Sequence, residues 1–284
     1  MTYGLDFAIP YVGDPDASLP WADDDDVLLV PGSLGLLELA HSASPVAGVP
    51  ANNAVIPNIA WKRLKDLLGS GDATTLGFVR DGADIANVMV TERSSKGGLH
   101  GIVSQTNGTT FNQGMRIRSA TPLYDYIAAN QTHDFYYSRW DRVTRIATSG
   151  SVHQAAFGSN TSNYLALIQG TAMFPASAPN LIGQRENPAS PNALGNRFRA
   201  IGIANNTGSG AFGFADPACW GGRGLSAASV NQGASLVLYR AYLEDLTVSG
   251  RTYAQVEALD LALWTEAMGA GGRYADDTFT APAI

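Results

Sequence analysis

The groups in this chain able to do acid–base, nucleophilic or metal chemistry are four histidines, one cysteine and a scattering of carboxylates. His41, His100, His133 and His153 stand far apart. None forms an H-x-x-x-H or H-E-x-x-H pair on one helix face, so a zinc centre is not expected. His133 and Asp134 precede Ser138 by a few residues, the residue types of a hydrolase triad. No G-x-S-x-G elbow accompanies them and they alternate along one strand pattern, so nucleophilic hydrolysis is not expected either. Cys219 is alone, which excludes an intrachain disulfide, and beside Trp220 it reads as a small buried hydrophobe. Glycoside hydrolysis would need two carboxylates facing each other across a cleft. Glu244 and Asp245 are adjacent and should point to opposite faces of a strand. Glu92, Asp141 and Glu244 are expected to form surface ion pairs with Arg93, Arg142 and Arg240.

Three further patterns invite a ligand. Gly208-Ser-Gly210-Ala-Phe-Gly213 matches G-x-G-x-x-G, but Asp216-Pro217 follows where a dinucleotide site needs a helix, so a loop is expected. Asp23–Asp26 offers oxygens for Ca²⁺, without the alternate spacing or the position-12 Glu of an EF-hand. A solvated acidic turn is expected there; calcium stays open as an ion and no other cofactor is expected. Tyr124, Tyr126, Phe135, Tyr136, Tyr137 and Trp140 could stack on sugar rings, although at strand spacing aromatic side chains usually face a core. The ligand candidates are Trp220 and Arg223, in the glycine-rich Trp220-Gly-Gly-Arg223-Gly, together with Tyr137. No catalytic and no metal residue is assigned.

These groups must be positioned by a low-charge, turn-rich body. Of 284 residues, 45% are apolar and only 15% charged, with Gly 31 and Pro 14. That suits a globular β protein with long polar loops. The net charge of −7 argues against a nucleic-acid surface. The cations are mostly arginine, the residue suited to fixed, partly buried pairs. The first residues lack a basic and apolar leader pattern, and no apolar run is long enough to span a bilayer, so neither a secretory leader nor membrane insertion is expected.

Residues 1–56 carry a proline about every ten residues, which prevents a long helix and suggests an extended arm with a short strand at Val27–Val30. A helix is expected from Pro57 to Gly69, and Gly69-Ser-Gly71-Asp72 marks a boundary between residues 1–75, a docking arm, and residues 76–284, the body. Strands are expected at Gly77–Arg80, Ile85–Glu92, Leu99–Gln105, Gly114–Ile117, Asp134–Ile146 (with a bulge), Tyr164–Gln169, Arg197–Ala204 and Ser235–Leu246. Ser94–Gly98 reads as a hairpin turn, and Pro122–Asn130 as a short helix. Thr171–Asn196 and Thr207–Gly233 read as long loops. Ser235–Leu246 is apolar on both faces and so belongs at the centre of a sheet. Thr252-Tyr-Ala-Gln255 is a capping box opening a helix with the stripe Val256, Leu259, Leu263 and Ala267, stopped by Gly269.

The string LYRAYLEDLTVSGRTYAQVEALD, Leu238–Asp260, resembles the terminal strand and following helix of laminin-G/concanavalin-like jelly-roll domains. Together with Pro57-Asn-Ile-Ala-Trp61 and Gly97-Gly-Leu-His-Gly-Ile-Val-Ser104, the chain resembles tailed-bacteriophage structural proteins carrying such a domain. The resemblance implies a mainly β antiparallel sandwich of jelly-roll type with an extended N-terminal arm and a few short helices. It implies a non-enzymatic virion protein, a tail, baseplate or fibre component making lectin-like contact with host glycan. A capsid decoration protein is the alternative, and a carbohydrate-active enzyme or free lectin module a further one. The implied partners are other virion proteins, copies of itself in a homo-oligomer, and host-surface glycan, with no nucleic acid. The calcium-ligating Asp and Asn of some family members have no counterparts here residue by residue.

Overall fold

Ser235–Asp245 forms one strand, β14, in which all eleven residues are buried. The computed structural model describes residues 26–41, 46–69, 75–81, 85–106, 114–119, 121–130, 133–148, 151–158, 164–170, 182–185, 196–202, 214–221 and 233–284. Along one edge β14 pairs antiparallel with β7 (Phe135–Arg145) over its whole length. Along the other edge it pairs end to end with two shorter strands, β5 (Leu99–Val103) and β1 (Ser33–Leu37). The both-faces-apolar pattern had indicated such a central position.

Two bulges set which side chains go where. The register to β7 slips between Leu238 and Arg240, leaving Tyr239 unpaired, and again between Ser235 and Leu236, opposite Thr144. A bulge reverses the alternation of a strand. Before it Leu236 and Leu238 face inward; after it Ala241 and Leu243 do, so Tyr239, Arg240 and Tyr242 share the outer face. Simple alternation had grouped Arg240 with Leu236 and Leu238. The bulge expected in the 134–146 strand falls at Thr144.

The main sheet runs β10 (Ile182–Arg185), β11 (Asn196–Gly202), β7, β14, β5, β4 (Met89–Arg93), with β1 beside β14. A second sheet orders β13 (Ala218–Gly221), β6 (Gly114–Ser119), β3 (Thr75–Asp81) and β2 (Val55–Pro57); a third orders β12 (Phe214–Asp216), β8 (Ser151–Gly158) and β9 (Tyr164–Gly170). Every described strand pair is antiparallel. The second and third sheets adjoin at β12 and β13, and β13 lies against β14 and β5 of the main sheet. Between the layers lie Leu99, Val103, Leu236, Leu238 and Leu243 from one side and Ile56, Met115, Ile117, Ala155 and Trp220 from the other. The helices are few: α1 (Trp61–Leu68), α2 (Ile85–Val88), α3 (Thr121–Ala129), α4 (Leu246–Ser249) and α5 (Tyr253–Met268). The protein is therefore mainly β, with antiparallel sheets and few short helices.

Helix α5 covers the outer face of β7 and β14. Its capping box is formed from both sides, Thr252 Oγ1 accepting from Gln255 N and Gln255 Oε1 from Thr252 N at 2.8 Å. Val256 packs on Tyr136 and Tyr242, and Ala267 and Met268 pack on Trp140 and Tyr239. Asp260, fully buried, accepts from Tyr136 Oη (3.2 Å), Ser138 Oγ (3.2 Å) and Trp140 Nε1 (3.0 Å), which pins the helix to β7.

Several local readings are displaced by tertiary contacts. The described part of the arm is not separate from the body, because β1 joins the main sheet and β2 the second one. Val27–Val30 is a turn rather than a strand, with Leu28 and Leu29 packed into the outer core. The helix expected at Pro57 starts at Trp61, because Asn58 is held by β1: its side chain bonds Leu36 N and Leu34 O at 3.0 Å each. Ile85–Val88 is one helical turn before β4. β8 carries no strand in the sequence reading, and β10, β12 and β13 lie in stretches read as loops. Residues 1–25 and the 208–213 glycine motif lie outside the described residues; β12, which follows the motif, is a strand.

Asp260→Ala should destabilise the fold by about 3–5 kcal/mol, because it strands buried donors of β7. Thr252→Ala, which removes only the helix cap, should cost about 1 kcal/mol. Urea unfolding followed by circular dichroism checks both.

Candidate functional site

A histidine oriented by a buried carboxylate sits at the rim of the main sheet, where β14 ends. Asp245 is the last residue of β14 and the N-cap of α4: its Oδ1 accepts from Val248 N at 3.1 Å. Its Oδ2 lies 2.6 Å from His133 Nδ1 and accepts from Tyr126 Oη of α3 at 2.8 Å. The Asp245 side chain is fully buried while the His133 side chain is 26% exposed. Burial, then the Asp245 hydrogen bond and charge, push the Tyr126 hydroxyl well above its ordinary range, so it stays a donor. The backbone fixes the same corner, with Asp245 N donating to Gly32 O and Leu246 N to Asp134 O, both at 2.8 Å. Gly32, at φ 106°, is close-packed here; a Cβ would meet Asp245 O at 2.8 Å.

A carboxylate holding one ring nitrogen leaves the other directed as a base or a single metal ligand. Further parts of a catalytic set do not join it among the described residues. Ser138, expected beside His133 from the sequence, faces Asp260 instead. No group of three His, Cys, Asp or Glu able to hold a metal occurs among the described residues. The sequence reading named His133 but attached it to Asp134. The partner is 112 residues away, at the end of β14, and only the sheet brings it near.

The ligand candidates are placed differently from the expectation of an exposed platform. Trp220 lies on β13 at 1% exposure, with its Nε1 donating to Leu236 O at 3.1 Å. Its indole fills the space left by Gly101, where a Cβ would fall 2.6 Å from Trp220 Cδ1. Tyr137 is buried in the same core and donates to Pro217 O. Neither ring presents a face to solvent. Arg223 lies outside the described residues. A cavity beside Tyr137, lined also by Leu37, Leu123, Pro217 and Leu243, measures ≈ 20 Å³, room for about one water and not for a sugar ring.

The other singled-out carboxylates are tied down. Glu92 lies 2.8 Å from His100 Nδ1. Asp141 pairs with Arg139 at 2.5 Å, both fully buried. Glu244 pairs with Arg251 at 2.5 Å and accepts from Tyr242 Oη at 2.7 Å. Asp26, the described end of the acidic run, bonds Leu28 N and pairs with Arg240, which also holds Glu38 at 2.8 Å. These are internal pairs, not the surface pairs with Arg93, Arg142 and Arg240 that the sequence suggested. Cys219 is buried and its thiol is pushed up well above the ordinary range, chiefly by burial and then by Asp216, which suits an inert side chain. No helix among the described residues is long and apolar enough to cross a membrane.

No family model matches the chain. No curated protein matches it either. Among solved structures it is similar to Trypanosoma rangeli sialidase in complex with sialic acid, with a TM-score of 0.39 and 13% identity, over 83% of this chain and 33% of that chain. The covalent intermediate of that sialidase with 2,3-difluorosialic acid is similar at a TM-score of 0.35 and 13% identity, over 79% and 34%. This chain thus spans about a third of the solved chains it matches. Likenesses this slight assign no activity.

Trp220→Ala should cost about 3–5 kcal/mol as a core deletion. His133→Ala, at the exposed end of a hydrogen bond, should cost about 1 kcal/mol. Denaturant midpoints of the two variants check the contrast.

Proposed function

We propose that this chain is a non-enzymatic structural protein of a tailed-phage particle, its body a concanavalin-like jelly roll displayed in many copies on the tail or baseplate. The observation that carries this reading is the use made of its ionisable residues. Arg139 with Asp141, Arg240 with Asp26 and Glu38, and Arg251 with Glu244 are turned inward on one another. Side chains locked in buried pairs stiffen a body and are unavailable for turnover. Two facing antiparallel layers, with a last strand at the centre and a capped helix over it, support the jelly-roll reading. The resemblance of Leu238–Asp260 and of the stretches around Pro57 and Gly97 to phage proteins points the same way. Weak contacts to host glycan or to neighbouring subunits gain strength through copy number. Capsid decoration is the alternative placement. The oriented His133 favours, as a second reading, a carbohydrate-active enzyme.

The chain is expected among the proteins of purified particles by mass spectrometry, at several copies per particle. Its absence from particles overturns the virion reading. Release of sugar from host envelope polysaccharide, lost in His133→Ala, would establish the enzyme reading instead. Removing residues 1–25, which leaves β1 and the Asp26–Arg240 pair intact, should abolish particle binding while the thermal midpoint stays unchanged.

A further inference from the structure

The last residues of the sequence lie as a strap across the hairpin of β4 and β5. Asp277 is the main anchor. Its Oδ1 accepts from Lys96 N (2.7 Å) and Ser95 Oγ (3.0 Å), its Oδ2 from Tyr239 Oη (2.7 Å), and its carbonyl from Arg142 (3.0 Å). Ser95 and Thr278 exchange two bonds of 2.9 Å, Ser95 N to Thr278 O and Thr278 N to Ser95 Oγ. Thr280 gives its N–H to Glu92 Oε1 (2.7 Å) and its hydroxyl to Glu92 Oε2 (2.6 Å), and Arg145 reaches Ile284 O at 2.8 Å.

Under the strap is His100, fully buried on β5. Its Nδ1 lies 2.8 Å from the same Glu92 Oε1, and its Nε2 2.9 Å from Thr144 Oγ1. The edge of Phe279 rests against the imidazole, centroids 5.2 Å apart at 62°. One carboxylate is therefore shared between the strap and the histidine that the strap covers.

We infer that residues 275–284 form a proton-linked cover, closed over a neutral His100 and released when His100 takes up a proton. The groups acting on the imidazole are Glu92 from β4, Thr144 from β7 and the charge of Asp277 from the strap, while Arg142 and Tyr239 bond Asp277 and Arg145 bonds Ile284. Burial holds His100 below its ordinary value of 6.5, against the Glu92 hydrogen bond and the charges of Glu92 and Asp277, which act upward. Lifting the strap removes Phe279 and admits water. Glu92 stays on the hairpin beside the imidazole, so the open form binds the proton more tightly than the closed one. Protons then favour opening, beginning near pH 6.5 and continuing down to the depressed value of the closed form. Glu92 acts with the same sign at lower pH. Burial pushes it up, but bonds from Thr280 and His100 outweigh that and hold it below its ordinary 4.5; loss of Thr280 lets it rise.

The test is amide hydrogen exchange on the full chain at about pH 7.5 and about pH 5.5, corrected for intrinsic rates, comparing Thr278 and Thr280 with β14. The expected result is a loss of strap protection, up to about tenfold, at the lower pH with β14 protection held. Strap amides that keep their protection, or lose it only together with β14, overturn the inference. By reciprocity the strap must also control the proton. In Phe279→Ala, a change in the cover that leaves the sheet intact, the His100 titration midpoint followed by NMR should rise towards 6.5. An unmoved midpoint overturns the link to His100.

Discussion

The rest of the structure depends on one constraint: β14 is buried on every side and still carries Arg240, Glu244 and Asp245. A charged side chain without a partner in such a place costs several kcal/mol. Arg240 and Asp245 are compensated by segments remote in sequence, and Glu244 by the turn seven residues on. Arg240 takes Asp26 and Glu38, with its guanidinium 4.9 Å from the centre of the Trp140 ring. Glu244 takes Arg251. Asp245 takes Tyr126 and His133. The N-terminal stretch, the α3 corner and the turn into α5 are therefore tied to the same strand. Apolar contacts alone would allow these segments to slide; the charge pairs give each one a register.

The two faces of the main sheet divide the work. The inner face carries aliphatic side chains together with Phe135 and Tyr137, and it packs against the second sheet, with Trp220 seated over Gly101. The outer face is aromatic and polar, and it binds α5 through Asp260 and the C-terminal strap through Asp277 and Glu92. Groups that would suggest chemistry in a list of residues are consumed in this architecture. Ser138 and the carboxylates Glu92, Asp141 and Glu244 all have structural partners, and that is why a displayed, stiff body is the reading favoured for this chain. His133 is the partly exposed exception, and it is oriented by the same strand end.

Where the sequence could be read depended on the range of the forces involved. The capping box at Thr252–Gln255, the stop at Gly269 and the tight turn at Ser94–Gly98, with Gly97 at φ 86°, follow from residues a few positions apart, and they stand as expected. The centrality of β14 was legible because burial on both faces demands apolar residues at nearly every position. β8 was not seen, and β12 and β13 were read as loop, because strands of three to eight residues take their stability from neighbours and leave little periodicity. Where the arm lies is open in the sequence for a related reason. Its prolines exclude a long helix but say nothing about pairing, and β1 is a strand because β14 offers it an edge.

The sequence by itself determined the class of the protein: a low-charge, turn-rich, mainly β chain with a central last strand and a capped helix after it. Tertiary structure alone decided the partners. Trp220, in a glycine-rich stretch that looked exposed, became core because Gly101 on another strand leaves room for its ring. The bulge at Tyr239 sent Arg240 to the outer face and so chose Asp26 and Glu38 for it. His133 found Asp245 rather than its neighbour Asp134. Local pattern reports the solvent and backbone preferences of each residue. Which charge meets which is settled only when distant strands are laid side by side.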